Sequence, residues 1–490
     1  MTVNFGRISS ALRVPLFYAE VDNSRANSGT GQGRTLILGQ KTATGAAPAD
    51  TPLQVRGGSD ARVQFGLGSI LALMVDWYRK RDSFGDVYAL PLADEGSGAA
   101  ASGTIVFTGT TTAAGTLSLY VGGRLVPVAL ANGAAASAVA TAVAAAVNAV
   151  SDLPVTAASS TGTVTLTAKN KGLCGNDIDV RLNYLGQAAG EITPAGITPT
   201  ITALSGGAIN PSLTTALANL GDAPFDFIVL PYTDATSLAA VQALMNDTSG
   251  RWSWSSQIYG HVFMAYRGTT GARTTFGTGR NNQHETVVGY FDSPTPSFCY
   301  AANVAAAAAN SLRADPAQPL QTLQLDVLAP PIASRDTLGQ RNALLYSGVS
   351  TTTVGGDGTV AIENLITTYQ SNSLGQPDDS YLQVETLFTL AAILRRLKAR
   401  VATKFSRVKL AADGTRIPPG ANAVTPNMIR ADIIAGYQEM EGDLVENSAA
   451  FAAQLVVERD ANNPRRVNVL YPPDLINQLG VLAVLAQFRA

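Results

Sequence analysis

Residues 69–92 read SILALMVDWYRKRDSFGDVYALPL, and this stretch decides the fold class. From Ser69 to Arg81 the apolar residues Ile70, Leu71, Met74 and Trp77–Tyr78 recur at helical spacing. The run Val87–Leu92 then reads as a buried strand. Upstream, Thr35-Leu36-Ile37-Leu38 is a second apolar strand. Strand, helix and strand in this order open an α/β unit. The same rhythm returns far downstream, with a helix near Ser212–Leu220, the strand Phe225–Leu230, a helix Ser237–Asn246, the strand Ile258–Tyr266 and the helix Ala301–Leu312.

Between the two halves the composition changes abruptly. From about Glu95 to Gly206-Gly207 the chain is dominated by Gly, Ala, Ser and Thr. Short β runs at Thr104–Thr108, Thr116–Val121, Arg124–Leu130, Thr163–Ala168 and Ile178–Leu182 surround an Ala-rich helix from Ala135 to Val150. Gly122-Gly123 suits a two-residue hairpin turn that needs positive φ. The reading is an insertion, 96–205, in an α/β core formed by 21–95 and 206–370. Breaks at both ends predict few contacts across the junction.

The ends read differently. Residues 1–20 form an N-terminal arm, in which Arg13-Val14-Pro15-Leu16-Phe17-Tyr18 is an extended run whose proline denies it a central place in a sheet. Residues 371–464 form a C-terminal α+β domain, with a helix from Ser380 to Arg407, a Pro418–Gly420 turn and a mixed segment Met428–Arg459. Residues 465–490 supply two terminal strands as a C-terminal arm. In the second, Leu482, Val484, Ala486 and Phe488 fall on one face and Val481, Ala483 and Leu485 on the other. Both faces are apolar. Such a strand belongs in the middle of a sheet, and if its own domain has no place for it, another subunit's sheet must provide one.

Composition narrows the function. The 490 residues are 46% hydrophobic and only 14% charged, with a net charge of −2. A low charge content without any apolar run of about 18–20 residues points to protein–protein burial and away from membrane insertion. The balance also offers no global attraction to nucleic acid. The N-terminus lacks a basic region followed by an apolar one, so cytoplasmic synthesis is expected. Cys174 and Cys299 are far apart and form no CxxC, which leaves no basis for a disulfide framework or a thiolate metal site.

Catalytic motifs are weak. His261 and His284 are the only two histidines, and His284-Glu285 lacks the second histidine of a zincin helix. Asp226, His261 and a later serine follow the order of one protease triad, but no serine stands in a recognisable motif. His261 in Tyr259-Gly260-His261-Val262-Phe263 reads as a hydrogen-bonded strand residue. Gly33–Thr42 departs from a phosphate loop, because Gln40 separates Gly39 from Lys41; Gly29, Gly31 and Gly33 precede a strand and fail the dinucleotide fingerprint. Asn246-Asp247-Thr248 is a glycosylation sequon without a secretory context. Asp378-Asp379 reads as a cap for the helix at Ser380. No metal, cofactor or catalytic residue is assigned.

One charged feature stands out. Arg395, Arg396, Lys398, Arg400, Lys404, Arg407 and Lys409 concentrate cations at the end of one helix with few acids nearby in sequence. It reads either as a solvated face or as a contact for an acidic partner.

The segment RRVNVLYPPDLINQLGVLAVLAQFRA, Arg465–Ala490, resembles the end of Mu-like contractile phage tail sheath proteins. Arg13–Leu16, Glu20–Ser24 and Thr35–Gln40 are similar to the start of the same family, and Leu117–Leu130 and Val164–Arg181 resemble its accessory domain. The resemblance implies a subtilisin-like core without a working triad, an outward insertion and an inner C-terminal domain. It further implies stacked hexameric rings, a helical polymer around a tail tube protein, contraction that drives the tube through the host envelope, and baseplate and tail terminator partners. The virion tail would be the destination and the host cytoplasm the place of assembly. On this reading Val14, Leu16, Tyr18, Val467, Val469, Leu482, Val484, Leu485 and Phe488 belong to inter-subunit arms. The cations Arg395, Arg396, Lys398, Arg400, Lys404 and Arg407 face the tube or a neighbouring ring. The competing expectations are a serine hydrolase of subtilisin-like fold, or a tail-surface adhesin using 96–205.

Overall fold

The computed structural model describes residues 33–489. The arm residues Val14, Leu16 and Tyr18, with Gly29 and Gly31, lie outside the described residues. The protein is mixed α/β with several sheets.

At the centre is a six-stranded sheet in the spatial order Glu285–Tyr290, His261–Arg267, Phe227–Val229, Thr35–Gln40, Val87–Leu92 and Leu53–Gln54. All neighbours are parallel except the last pair. Thr35–Gln40 is buried at every position, as expected for a central parallel strand covered on both faces. The helix Ile70–Arg79 is capped by the Ser69 hydroxyl, which accepts from the Ala72 amide, and it packs on the helix Ser297–Ala314. The second helix is buried along nearly its whole length, and its alanines allow close approach to both the first helix and the sheet. Asn303 satisfies the polar demand of that contact by donating to the Trp77 carbonyl at 3.0 Å.

Residues 96–205 hold two antiparallel sheets. One orders Ile197–Ser205, Ala100–Gly109, Thr163–Lys171 and Val155–Ser160; the other orders Arg124–Leu130, Gly115–Val121 and Val180–Leu182. The helix Ala136–Ala149 turns Val139, Val143 and Val147 inward at a spacing of four, all fully buried. Gly122 and Gly123 have φ of 57° and 79°, the pair of positive values that a two-residue turn between Gly115–Val121 and Arg124–Leu130 requires.

The expectation of few contacts across the junction does not hold. Asp94, on the core side, accepts from Asn170 at 3.0 Å and from the Lys171 amide at 3.1 Å, and Gln40 donates to the Lys171 carbonyl at 2.8 Å. Asn170 in turn accepts from the Ile70 amide at 3.1 Å, and Arg267 meets Asp179 at 2.7 Å. One continuous hydrophobic core runs from the central sheet into the insertion. The composition changes at Glu95, but the packing does not.

The helix Val384–Phe405 joins that core to a second hydrophobic cluster. The cluster gathers Ile393, Ile429, Ile433, Tyr437, Leu444 and Phe451, with the Tyr437 and Phe451 rings stacked at 3.7 Å. It is built on the helices Pro426–Gln438 and Ser448–Gln454 and the hairpin of Val456–Arg459 with Val467–Leu470. Because the long helix starts at Val384, Asp378 and Asp379 do not cap it. Asp378 instead accepts from the Ser380 amide and the Tyr369 hydroxyl in the preceding turn.

The sheet therefore has a polarity. The insertion closes over its carboxyl ends, where the Cys174 thiol donates to the Pro231 carbonyl just beyond Phe227–Val229. The helix Val384–Phe405 crosses its amino ends, where Phe388 stacks on Phe227 at 4.9 Å.

Candidate functional site

In an open α/β sheet the usual ligand crevice lies outside the carboxyl ends, where neighbouring strands lead in opposite directions. Here that place, beside Gln40 and Pro231, is occupied by Asn170, Lys171 and Cys174 of the insertion. Asp226 and His261 lie side by side, with the His261 amide donating to the Asp226 carbonyl at 2.8 Å, but their side chains are taken up in separate structural contacts. Asp226 holds Arg395 at 2.5 Å and accepts from the Gly33 amide at 2.7 Å. His261 is fully buried and shares a 2.7 Å hydrogen bond with the Thr286 hydroxyl. Burial, and then the nearby His284, push its pKa well below the ordinary histidine range, so it stays neutral. His284 is buried too, stacks on Trp252 and meets Asp247 at 2.8 Å.

The cationic helix is largely neutralised within the chain. Arg395 pairs with Asp226, Arg396 with Asp443 at 3.3 Å, Arg400 with Asp432 and Glu439 at 2.8 Å each, and Lys404 with Asp432. Burial works to raise the Asp432 pKa, but its hydrogen bonds from Arg400 and Lys404 outweigh it and hold the carboxyl below its usual range. The expectation of a contiguous free cationic face is thus corrected. The acids come from segments far away in sequence, and only folding brings them to the helix. Among the described residues, Lys398 and Arg407 form no ion pair.

The C-terminal segment divides in two. Val467 and Val469 were expected in an inter-subunit arm, but they belong to a hairpin within the chain, where Val469 faces Val457 and Val467 faces Arg459. Local chemistry explains it: the Asp460 carboxylate accepts from the Asn462 and Asn463 amides at 2.9 Å each and sets the turn. The chain then continues in register with its own domain. Tyr471 packs edge-on against Phe451, and the Ile476 amide donates to Leu444 at 3.1 Å. Gln478 reaches the Ala317 carbonyl at 3.3 Å, and Gln321 reaches the Leu479 carbonyl at 3.0 Å.

Beyond Leu479 such contacts stop among the described residues. Residues 480–489 carry no secondary structure, so the second terminal strand expected from sequence has no partner among the described residues. Leu482 is 77% exposed, Val484 78%, Leu485 85% and Phe488 91%. On the same domain the two-stranded hairpin leaves both outer edges open among the described residues, with Val456, Val469 and Leu470 partly exposed.

Across its whole length the chain is 43% identical to the Mu-like prophage FluMu tail sheath protein of Haemophilus influenzae, of which it also covers 100%. The chain belongs to the contractile phage tail sheath family. Family models agree along the sheath chain: residues 95–198 match the phage tail sheath protein beta-sandwich domain, 206–368 the central domain and 376–489 the C-terminal domain. Solved structures with likeness to the sheath chain include the sheath tail protein of Desulfitobacterium hafniense. That protein is 16% identical, with 95% of this chain and 100% of that chain covered at a TM-score of 0.48. The sheath tail protein of Listeria innocua is 15% identical, with 91% and 92% covered at 0.47. The protein is accordingly a structural sheath subunit and a component of a virion tail, in a family of structural proteins.

Proposed function

We propose that the subunit polymerises by donating residues 480–489 to the sheet of a neighbouring copy, forming stacked hexameric rings around a tail tube. The observation that carries this is an apolar segment on a well-anchored base, exposed on both faces, in a chain that also presents a hairpin with open edges. Leu482, Val484, Leu485 and Phe488 are the donated side chains. Val467 and Val469 sit on the acceptor. The N-terminal residues Val14, Leu16 and Tyr18 are assigned to a second arm.

The division we adopt is an arm 1–20, an interrupted core of 21–95 and 206–370 with a subtilisin-like plan and no working triad, an insertion 96–205, and a C-terminal domain 371–464 with the segment 465–490. Since the insertion and the helix Val384–Phe405 lie at opposite ends of the central sheet, the insertion faces outward and the C-terminal domain inward in this arrangement. Lys398 and Arg407 are the cations left to meet the tube protein or an adjoining ring. Baseplate and terminator proteins cap the polymer, which assembles in the host cytoplasm, and contraction drives the tube through the host envelope.

The test is removal of Gly480–Ala490. The truncated subunit is expected to keep its circular dichroism spectrum and to form no tubes by electron microscopy and sedimentation. Tubes of normal length from the truncated chain would refute strand donation.

A further inference from the structure

The hairpin edge is too short for the segment that we assign to it. Its strands have four residues each, whereas 481–489 has nine. Four extended residues cover about 13 Å, and nine reach about 30 Å. More than half of the donated length therefore runs past the hairpin, and its largest side chain, Phe488, lies in that surplus.

A groove lies at one end of the same hairpin. The helices Val384–Phe405 and Pro426–Gln438 enclose a cavity of about 410 Å³, lined by Leu397, Ala399, Ile433, Tyr437, Met440 and Tyr471. Gly436 helps to open it, because a Cβ there would come within 2.9 Å of the Arg400 side chain. The charges at its rim are already paired, Arg400 with Glu439 and Asp432, so the groove presents an apolar floor beneath a neutralised edge. Tyr471 is the shared wall, since it follows the strand Val467–Leu470 directly and points to the same aromatic cluster as Tyr437.

From these observations, and resting on the strand-donation reading, we infer that the groove is the socket for Phe488 of a second copy. A donated segment whose residues 481–484 pair with the hairpin, and which runs toward the end where Val456 faces Leu470, delivers its remaining residues to Tyr471. Phe488 has the size and apolar character to fill the groove, and it is 91% exposed in its own chain. Main-chain pairing is indifferent to sequence, whereas a socket for one aromatic fixes the register of the donated strand. The socket therefore sets which residues pair, and with that the length of the link between copies.

The experiment uses full-length chains. Tubes are assembled from an equal mixture of Phe488→Cys and Ala399→Cys subunits and oxidised; Cys174 and Cys299 are buried. The expected product is a disulfide-linked pair of different chains. A parallel mixture of Leu482→Cys with Val469→Cys reports the hairpin pairing. If the hairpin bond forms and the groove bond does not, the socket is refuted while strand donation stands. If neither forms, both fall. A double variant carrying Phe488→Cys and Ala399→Cys in one chain, oxidised when dilute and unassembled, is expected to stay uncrosslinked; rapid closure within one chain would overturn the assignment to a second copy. As a second measure, Ala399→Trp fills the mouth from an exposed position and is expected to raise the concentration needed for tubes at least tenfold. No change would refute the socket.

Discussion

Replacing Arg395 with Gln should damage the fold and leave contacts with a tube untouched. The Arg395 side chain is 24% exposed and its partner Asp226 only 4%, with 2.5 Å between guanidinium and carboxylate. Arg395 also donates to the Tyr259 carbonyl at 3.2 Å and lies over the Tyr259 ring at 5.6 Å. Removing one member of a buried pair leaves the other charged and uncompensated, at a cost of about 3–5 kcal/mol. The Gly33 amide still donates to Asp226, which places the expected loss at the lower end of that range. Arg396 supplies the internal comparison one residue along. Its pair with Asp443 is about half exposed on both sides, and such pairs contribute about 0–1 kcal/mol. The assay is urea unfolding of the chain lacking Gly480–Ala490, followed by circular dichroism. Arg395→Gln should lower the midpoint strongly and Arg396→Gln hardly at all, and Asp226→Asn together with Arg395→Gln should recover part of the loss. Equal small effects of the two single substitutions would refute the claim that Arg395 anchors the C-terminal helix to the central sheet.

Two further outcomes are expected. Deleting 96–205 behind a short Gly/Ser linker should give an insoluble chain, because Gln40 loses the Lys171 carbonyl, the Ile70 amide loses Asn170, the Pro231 carbonyl loses Cys174 and the continuous core is cut open; a soluble deletion variant with native-like circular dichroism would show that the core closes without the insertion. Changing Lys398 and Arg407 together to Gln should weaken association of the sheath with tube and flatten its dependence on ionic strength, since these cations have no acid within the described chain; an unchanged salt profile would return them to a solvated face.

Four of the six central strands were legible because they are continuous apolar runs: Thr35–Leu38 lies within the strand Thr35–Gln40, Val87–Leu92 matches its strand, Phe225–Leu230 contains Phe227–Val229 and Ile258–Tyr266 overlaps His261–Arg267, whereas the edge strands Glu285–Tyr290 and Leu53–Gln54 were not read. The helix around Ile70 and the Gly122-Gly123 turn were legible for the same kind of reason, a local pattern with one physical solution. Val155–Ser160 and Ile197–Ser205 were missed. Written VTAASS and ITPTITALS, they alternate small or hydroxylated residues with too little contrast to register as period two. The cationic helix misled for another reason. Its acids, Asp226, Asp432, Glu439 and Asp443, lie on other elements, and sequence proximity says nothing about them. For the terminal region the apolar pattern of both segments was visible, but such a pattern does not name a partner. The Asp460 turn gives Val467–Leu470 a partner within the chain, while 481–489 has none among the described residues.

That difference bears on how a contractile lattice can hold together while its subunits turn. A face-to-face interface of ordinary size removes about 800 Å² per partner from water, and sliding it open exposes that apolar area before any new contact replaces it. A lattice joined only in that way would be locked. A donated strand gains a few hydrogen bonds at about 0.5–1.5 kcal/mol each and several side chains at about 1.5–3 kcal/mol apiece, against about 1–2 kcal/mol per ordered residue. The net for one joint is small, and it accumulates because each subunit both gives and receives. The joint also turns cheaply. Gly480, directly after the last anchored residue Leu479, has open space where a side chain would stand, so its backbone can rotate without unpacking anything. Under the proposed donation, domains on either side would then change orientation while the donated strand keeps its pairing. Under the proposed strand donation the low charge of the chain fits the same logic, because the permanent links would be apolar and main-chain, and cations such as Lys398 and Arg407, unpaired among the described residues, would serve contacts that form and break.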